Sequence, residues 1–292
     1  MNKKQRYQGF RKFSIKTRLV IALLLISIIP LAGISGYSFH IFSVALREKL
    51  SASISQTLSM INLNMVSEIE KYQYLCGSIC ISEEIKDGLL NKDMSDIEKN
   101  QAINEIQSMI RTKIIYPAQA KNITVYDTDG NIFYNLGYDG FYQDDVDMLL
   151  DRLRQENQDV WAYVHTYRDR DILVLGRRIY EQYSESRVIG YTLISIDEKI
   201  FSKTVLEPVG LADSSNIMYM NMDGSVLSSW DRNIALGKKV DSEFLKNIQQ
   251  KLPSRTDSFS IHKDGEEQLV TYIFNKNLNQ LFVYTMPYHY IN

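Results

Sequence analysis

The chain has 292 residues, 45% of them hydrophobic, with 33 Lys+Arg against 35 Asp+Glu and a formal net charge of −2. That length fits two domains of roughly 100–150 residues rather than one minimal core. The balance of charge and apolar content excludes a disordered chain and a generic nucleic-acid binder, so no nucleic acid is expected among the partners.

The average hides an asymmetry. The first 18 residues carry seven cations (Lys3, Lys4, Arg6, Arg11, Lys12, Lys16, Arg18) and no acid, leaving 26 basic against 35 acidic residues elsewhere. Residues 19–46 then hold no Asp, Glu, Lys or Arg. At about 1.5 Å per helical residue this run crosses a hydrocarbon core of roughly 30 Å. Pro30, Gly33 and Gly36 are tolerable in a spanning helix when neighbours satisfy the freed backbone groups. A cleaved signal peptide shares the basic start, but its apolar core is usually only about 7–15 residues, and no convincing A-x-A site follows here. The expectation is an uncleaved anchor at the cell membrane. With the cations before the helix, the positive-inside rule leaves residues 1–18 cytoplasmic and residues 47–292 extracellular.

From Arg47 to about Leu90, apolar residues recur at Ile54, Leu58, Ile61, Met65, Ile69, Tyr72, Cys76 and Ile79. Their alternating spacing of three and four predicts one long stalk helix over 47–91, with a single apolar stripe. A partner chain, the domain that follows, or both must cover that stripe, and a homodimer through the seam is expected. Cys76 and Cys80 lie on one face of that helix at a separation that a disulfide barely permits; the other reading is a pair of small apolar side chains. Two cysteines alone build neither a metal site nor a disulfide framework. Ser95 and Glu98 form the signature of a capping box, predicting a second helix that ends before Pro117.

Strand patterns follow. Ile123–Tyr126 and Ile132–Tyr134 flank the turn Asp127-Thr128-Asp129-Gly130-Asn131, a short helix is expected at Asp144–Gln155, and strands at Val160–Tyr167, Ile172–Tyr180 and Val188–Ile196. After Leu211 the order recurs: Ile217–Asn221, a turn at Asp223-Gly224, Val226–Ser229, a helix at Ser242–Leu252, then Phe259–His262, Gln268–Phe274 and Leu281–Met286. Strand, strand, helix and three strands, twice over, predicts two antiparallel sheet modules with helices on their faces, an α+β chain. Asp127, Asp129 and Asp223 suit turns better than Ca²⁺, since neither cluster has a calcium loop's oxygen count.

Within Val160–Tyr167, alternation puts Trp161, Tyr163, His165 and Tyr167 on one face and Val160, Ala162, Val164 and Thr166 on the other. Aromatic plates with polar tips suit a small ligand that has apolar faces and hydroxyls, such as a sugar; the competing reading packs that face beneath a helix. Arg168, Arg170 and Asp171 at the strand end and Arg177 on the next strand contact ligand or form a solvated rim. Four scattered histidines, with no H-E-x-x-H, G-x-S-x-G or Walker loop, give no catalytic, metal or cofactor site.

The order of parts resembles a double Cache (PAS-like) extracellular sensor. Phe13-Ser14-Ile15-Lys16-Thr17-Arg18-Leu19, Ile29-Pro30-Leu31 inside the span, Arg47-Glu48-Lys49, Ile189-Gly190-Tyr191 and the closing Leu281–Tyr288 are similar to YesM-type sensor histidine kinases of Gram-positive bacteria. The resemblance implies a transmembrane helix continuing into a long helix, a membrane-distal module over 92–210 with a ligand pocket, and a membrane-proximal module over 211–292. Its candidate ligand-binding residues here are Trp161, Tyr163, His165, Tyr167, Arg177, Tyr126 and Ser195. Amino-acid-binding members share an R-x-W-Y clamp and an Asp on the last distal strand. Asp159, Ala162 and Ser195 stand at those positions, so a carbohydrate is expected before an amino acid.

Such kinases continue into a second span, a HAMP linker and a kinase core. This chain carries neither a phosphoacceptor-His segment nor an ATP-binding glycine box, so no catalytic domain and no cofactor are expected in it. The expected function is the membrane-anchored ligand-sensing region of a two-component sensor histidine kinase, truncated before the second span, in which ligand in the distal module shifts the stalk helix. The alternative is a single-pass interaction protein that docks a transporter or co-receptor through its helix and sheet faces. An anchored extracellular hydrolase has no motif in its favour.

Overall fold

The computed structural model describes residues 15–287 apart from 92–93, 114–119, 138–139, 168–169, 182–186, 207–214, 232, 252–255, 264 and 277. The cations before Ile15, Pro117, Arg168 and Tyr288, named above, lie outside the described residues. The chain divides into a unit ending at Ser53 and a unit beginning at Ile54. In the first, Leu19–Leu46 is 28 residues with a mean hydropathy of 2.5, long and apolar enough to cross a membrane. Its large side chains are exposed, and Pro30 sits inside the helix without ending it.

Helix α1 runs Ile15–Ile81. In the second unit all eight residues of the predicted stripe, from Ile54 through Leu58 and Met65 to Ile79, are buried by this chain's own residues. Burying each such side chain is worth roughly 1.5–3 kcal/mol, which holds the helix to its domain. Of the covers the sequence allowed for this stripe, the domain that follows supplies one. Cys76 and Cys80 are buried on the same side with free thiols, and burial pushes the Cys76 thiol well above its ordinary range.

The stalk does not continue unbroken to Leu90. Ser82 takes an extended backbone (φ −62°, ψ 128°) and its hydroxyl accepts the Ile85 N–H at 3.3 Å, starting a separate helix, α2, at Glu83–Leu90. A serine able to cap outcompetes helix continuation at that point. Helix α3, Asp96–Lys113, begins with the expected box: the Ser95 N–H donates to Glu98 Oε2 at 2.8 Å and the Glu98 N–H returns to Ser95 Oγ at 3.4 Å.

The distal sheet comprises β1 (Ala120–Asp127), β2 (Ile132–Leu136), β3 (Val160–His165), β4 (Asp171–Tyr180) and β5 (Val188–Asp197), in the order β2-β1-β5-β4-β3 with every pairing antiparallel. Helix α4, Gln143–Gln155, lies over one face, where Leu149, Leu150 and Leu153 form a core with Val160, Ala162, Val164 and Val174. The β1–β2 turn holds Gly130 at φ +88°, and Asp127 Oδ1 accepts the N–H groups of Asp129 and Asn131 at 2.9 and 2.8 Å. That carboxylate is spent on its own backbone.

After β5 comes helix α5, Glu198–Val205, which the strand patterns did not reveal; Asp197 caps it by accepting the Ile200 N–H at 3.1 Å. The second sheet repeats the first: β6 (Asn216–Asn221), β7 (Val226–Ser229), helix α6 (Ser242–Gln249), β8 (Thr256–Lys263), β9 (Glu266–Asn275) and β10 (Gln280–Pro287), in the order β7-β6-β10-β9-β8. In both sheets the last strand inserts between the first and the fourth, which leaves a short hairpin arm at one edge and the third strand at the other. The β6–β7 turn copies its counterpart, with Gly224 at φ +86° and Asp223 Oδ1 accepting the Ser225 N–H at 3.0 Å.

Candidate ligand-binding site

Strand β3 is the outer strand of the distal sheet and carries most of the candidate aromatics. Its alternation follows the sequence: Val160, Ala162 and Val164 enter the α4 core, and Trp161 and Tyr163 face the other way. Trp161 is 3% exposed, and its indole N–H finds no hydrogen-bond partner among the described residues. Tyr163 donates its hydroxyl to Asp171 Oδ1 at 2.6 Å; burial, then that bond, raises its pKa. His165 Nδ1 lies 3.5 Å from the same carboxylate, with the side chain 44% exposed.

Arg177 shares the Trp161 face but is already engaged. Its Nε and Nη2 donate to Asp159 at 2.6 and 2.5 Å, and its Nη1 donates to the Gln73 carbonyl of α1 at 3.2 Å. Gln73 Nε2 completes the triangle by donating to Asp159 at 3.0 Å. This fork fastens the start of β3 and the body of β4 to the stalk helix.

Tyr126 and Ser195 lie on the opposite, α4-covered face. Tyr126 pairs in register with Tyr191, and burial pushes its pKa up to about 12. Ser195, 1% exposed, stands between Asn122 of β1 and Val174 of β4, its hydroxyl without a partner among the described residues. Tyr167 lies past the strand end, 57% exposed, with its ring 4.3 Å from that of Tyr142. The seven candidates thus fall in three places, and the structure brings together only Trp161, Tyr163, His165 and Arg177.

The Trp161 face meets the second module. Asn221 at the end of β6 donates its amide to the Trp161 carbonyl at 3.2 Å, and Arg152 of α4 donates to the same oxygen at 3.3 Å. Behind Asn221 a relay continues: Gln280 Nε2 donates to Asn221 Oδ1 at 3.2 Å, and Tyr219 donates its hydroxyl to Gln280 Oε1. Gly237, at φ +75°, brings its backbone against the Tyr163 ring, and an added Cβ would stand 2.6 Å from Tyr163 Cδ1. Two cavities flank this contact, one of about 370 Å³ beside Trp161 and one of about 170 Å³ beside Tyr163, Asp171 and Asp231. Sequence reading named Asp171 at the strand end but missed Asn221 and Gln280 as parts of this region. Asp171 was legible as the strand-end acid opposite His165, whereas nothing local marks Asn221 or Gln280.

No family model and no curated protein matches the chain. Solved structures do. An extracellular domain assigned to the histidine kinase vpHK1S-Z8 superposes with a TM-score of 0.61 at 13% identity, covering 85% of this chain and 96% of that one. The ligand-binding domain of the Campylobacter jejuni chemoreceptor Tlp3, solved with L-norvaline, gives 0.54 at 15% identity over 85% and 94%. The sensor domain of the V. cholerae histidine kinase DctB gives 0.51 at 13% identity over 84% and 97%. At such identities the likeness is one of fold: this is an α+β chain with two successive antiparallel five-stranded sheets, an arrangement it shares with these solved domains.

Proposed function

We propose that this chain is the membrane-anchored, extracellular ligand-sensing region of a two-component sensor histidine kinase of YesM type. Residues 1–18 lie in the cytoplasm, 19–46 span the membrane, 47–91 form the stalk, and the modules over 92–210 and 211–292 face the medium. The observation that carries this reading is the continuity of α1, whose apolar first half is long enough to span and whose second half is packed into the domain. A small ligand that binds the distal module better in one arrangement of α1 biases that arrangement; at 100 times its dissociation constant it supplies about 2.7 kcal/mol.

The ligand is a carbohydrate rather than an amino acid. Asp159, where a clamp arginine would stand, is committed to Arg177, and the aromatic face offers indole and phenol groups. The partner is a second copy of the chain, joined through the outward face of the stalk. There Met60, Leu63, Tyr74 and Ile81 are 61%, 67%, 64% and 55% exposed.

Both native thiols are buried, so labelling of single introduced cysteines tests the topology. In intact cells a membrane-impermeant maleimide should modify Lys246→Cys, while Asn2→Cys should react only after permeabilisation. The reverse pattern, or labelling of neither module, refutes an extracellular sensor.

A further inference from the structure

The 370 Å³ cavity beside Trp161 belongs to neither module alone. Its walls are the end of α4 and the start of β3 on one side, and the β6–β7 turn and the β9–β10 turn on the other. The volume falls within the roughly 300–1,000 Å³ of small-molecule sites. Four charged side chains line it, and each is already matched inside the protein: Arg152 with Glu156 at 2.9 Å, Asp159 with Arg177 at 2.5 Å, and Asp223 with Lys239 at 3.0 Å. With those partners counted, three carboxylates are balanced by three cations, and a charged ligand would compete with an existing pair.

The groups still unspent are neutral. The Trp161 indole N–H is buried without an acceptor among the described residues, and the solvent-exposed amides of Gln158 and Asn279 line the same space. Asn279 is also the one non-glycine with positive φ (52°) among the described residues, a backbone that aims the β9–β10 turn at a fixed angle. Indole and Leu278 supply apolar surface beside these donors and acceptors. A neutral N–H donor, two amides and a flat apolar wall match a ligand with many hydroxyls and no charge.

We infer that this crevice between the two modules is a binding site for a neutral saccharide, held by Trp161, Gln158 and Asn279. The inference rests on the sensing reading above and places the ligand where it touches both sheets at once. Such a ligand would lie beside the Asn221–Trp161–Arg152 bracket that joins the modules.

The chain has two tryptophans, and Trp230→Phe leaves Trp161 as the sole indole reporter. Full-length protein in nanodiscs is titrated with glucose, xylose, galactose, maltose and cellobiose, with glucuronate, glutamate and spermidine as charged comparators. The expected result is a saturable change in Trp161 emission with at least one neutral sugar. That affinity should fall roughly five- to tenfold in Asn279→Gly, which keeps the left-handed backbone, and in Gln158→Ala. Sugar binding that Ser195→Val abolishes and Asn279→Gly leaves intact puts the ligand under α4; it overturns the crevice site and spares the sensor. A response to charged comparators alone overturns the ligand class, and no response to any compound overturns the site and the sensing reading together.

Discussion

Removing Asp159 probes the joint between stalk and distal sheet. Its carboxylate receives two N–H bonds from Arg177 and one from Gln73, and the Arg177 side chain is only 29% exposed. Breaking a fully buried ion pair by deleting one partner costs about 3–5 kcal/mol. Here the guanidinium keeps the Gln73 carbonyl and some solvent, so Asp159→Ala should cost about 2–3 kcal/mol. For a unit of this size that lowers the melting temperature by about 5–10 °C. Arg177→Met retains the packing stem and leaves an acceptor that still has Gln73, so it should cost less. The double variant should be more stable than the sum of the two changes implies, with a coupling of about 1.5–2.5 kcal/mol. Circular-dichroism melts of the four proteins in nanodiscs measure the cycle, and additive effects within about 0.5 kcal/mol refute a working fork between helix and sheet.

Leu153→Ala, at a fully buried site where α4 meets the sheet, should cost about 2–5 kcal/mol in the same melts; a loss under 1 kcal/mol contradicts a packed α4 core. Ser82→Ala removes the cap that separates α2 from α1 and should cost about 1 kcal/mol, with faster amide exchange at Ile85 as the local readout. Asp223 is partly buried, yet the Ser225 N–H and Lys239 bring its pKa net below the usual 3.8. A depressed acid contributes stability above its unfolded pKa and loses it as pH falls through the folded value. Asp223→Asn should therefore flatten the decline in stability below about pH 4 by a small amount, and an unchanged acid limb argues against the turn's ion pair.

The elements were legible where one physical signal dominated. Eight apolar positions at spacings of three and four marked the buried side of α1, and two Asp-Gly turns 94 residues apart marked the repeated hairpins. Local competition was harder to read: Ser82 lies in a helical pattern, and only its extended backbone shows that capping α2 prevails over extending α1. Helix α5 is eight residues long and directly follows a strand, so its periodicity had no room to stand out. For the site, alternation along β3 sorted the Trp161 face from the Val160 face. The second-module partner of that strand, Asn221, comes from 60 positions away, and no period in one segment encodes it. Arg177 illustrates the limit, because its neighbour Asp159 was visible in sequence but the fork closing on Gln73, 104 residues distant, was not.

The bracket on the Trp161 carbonyl has a consequence for solubility. Outermost strands of open sheets present unsatisfied main-chain oxygens and amides, templates on which foreign chains accrete into aggregates. Strand β3 occupies such a margin, yet its carbonyl at Trp161 is taken by Asn221 and Arg152, and Tyr163 is shielded by Gly237. The chain thus uses its own second module as the guard for that margin.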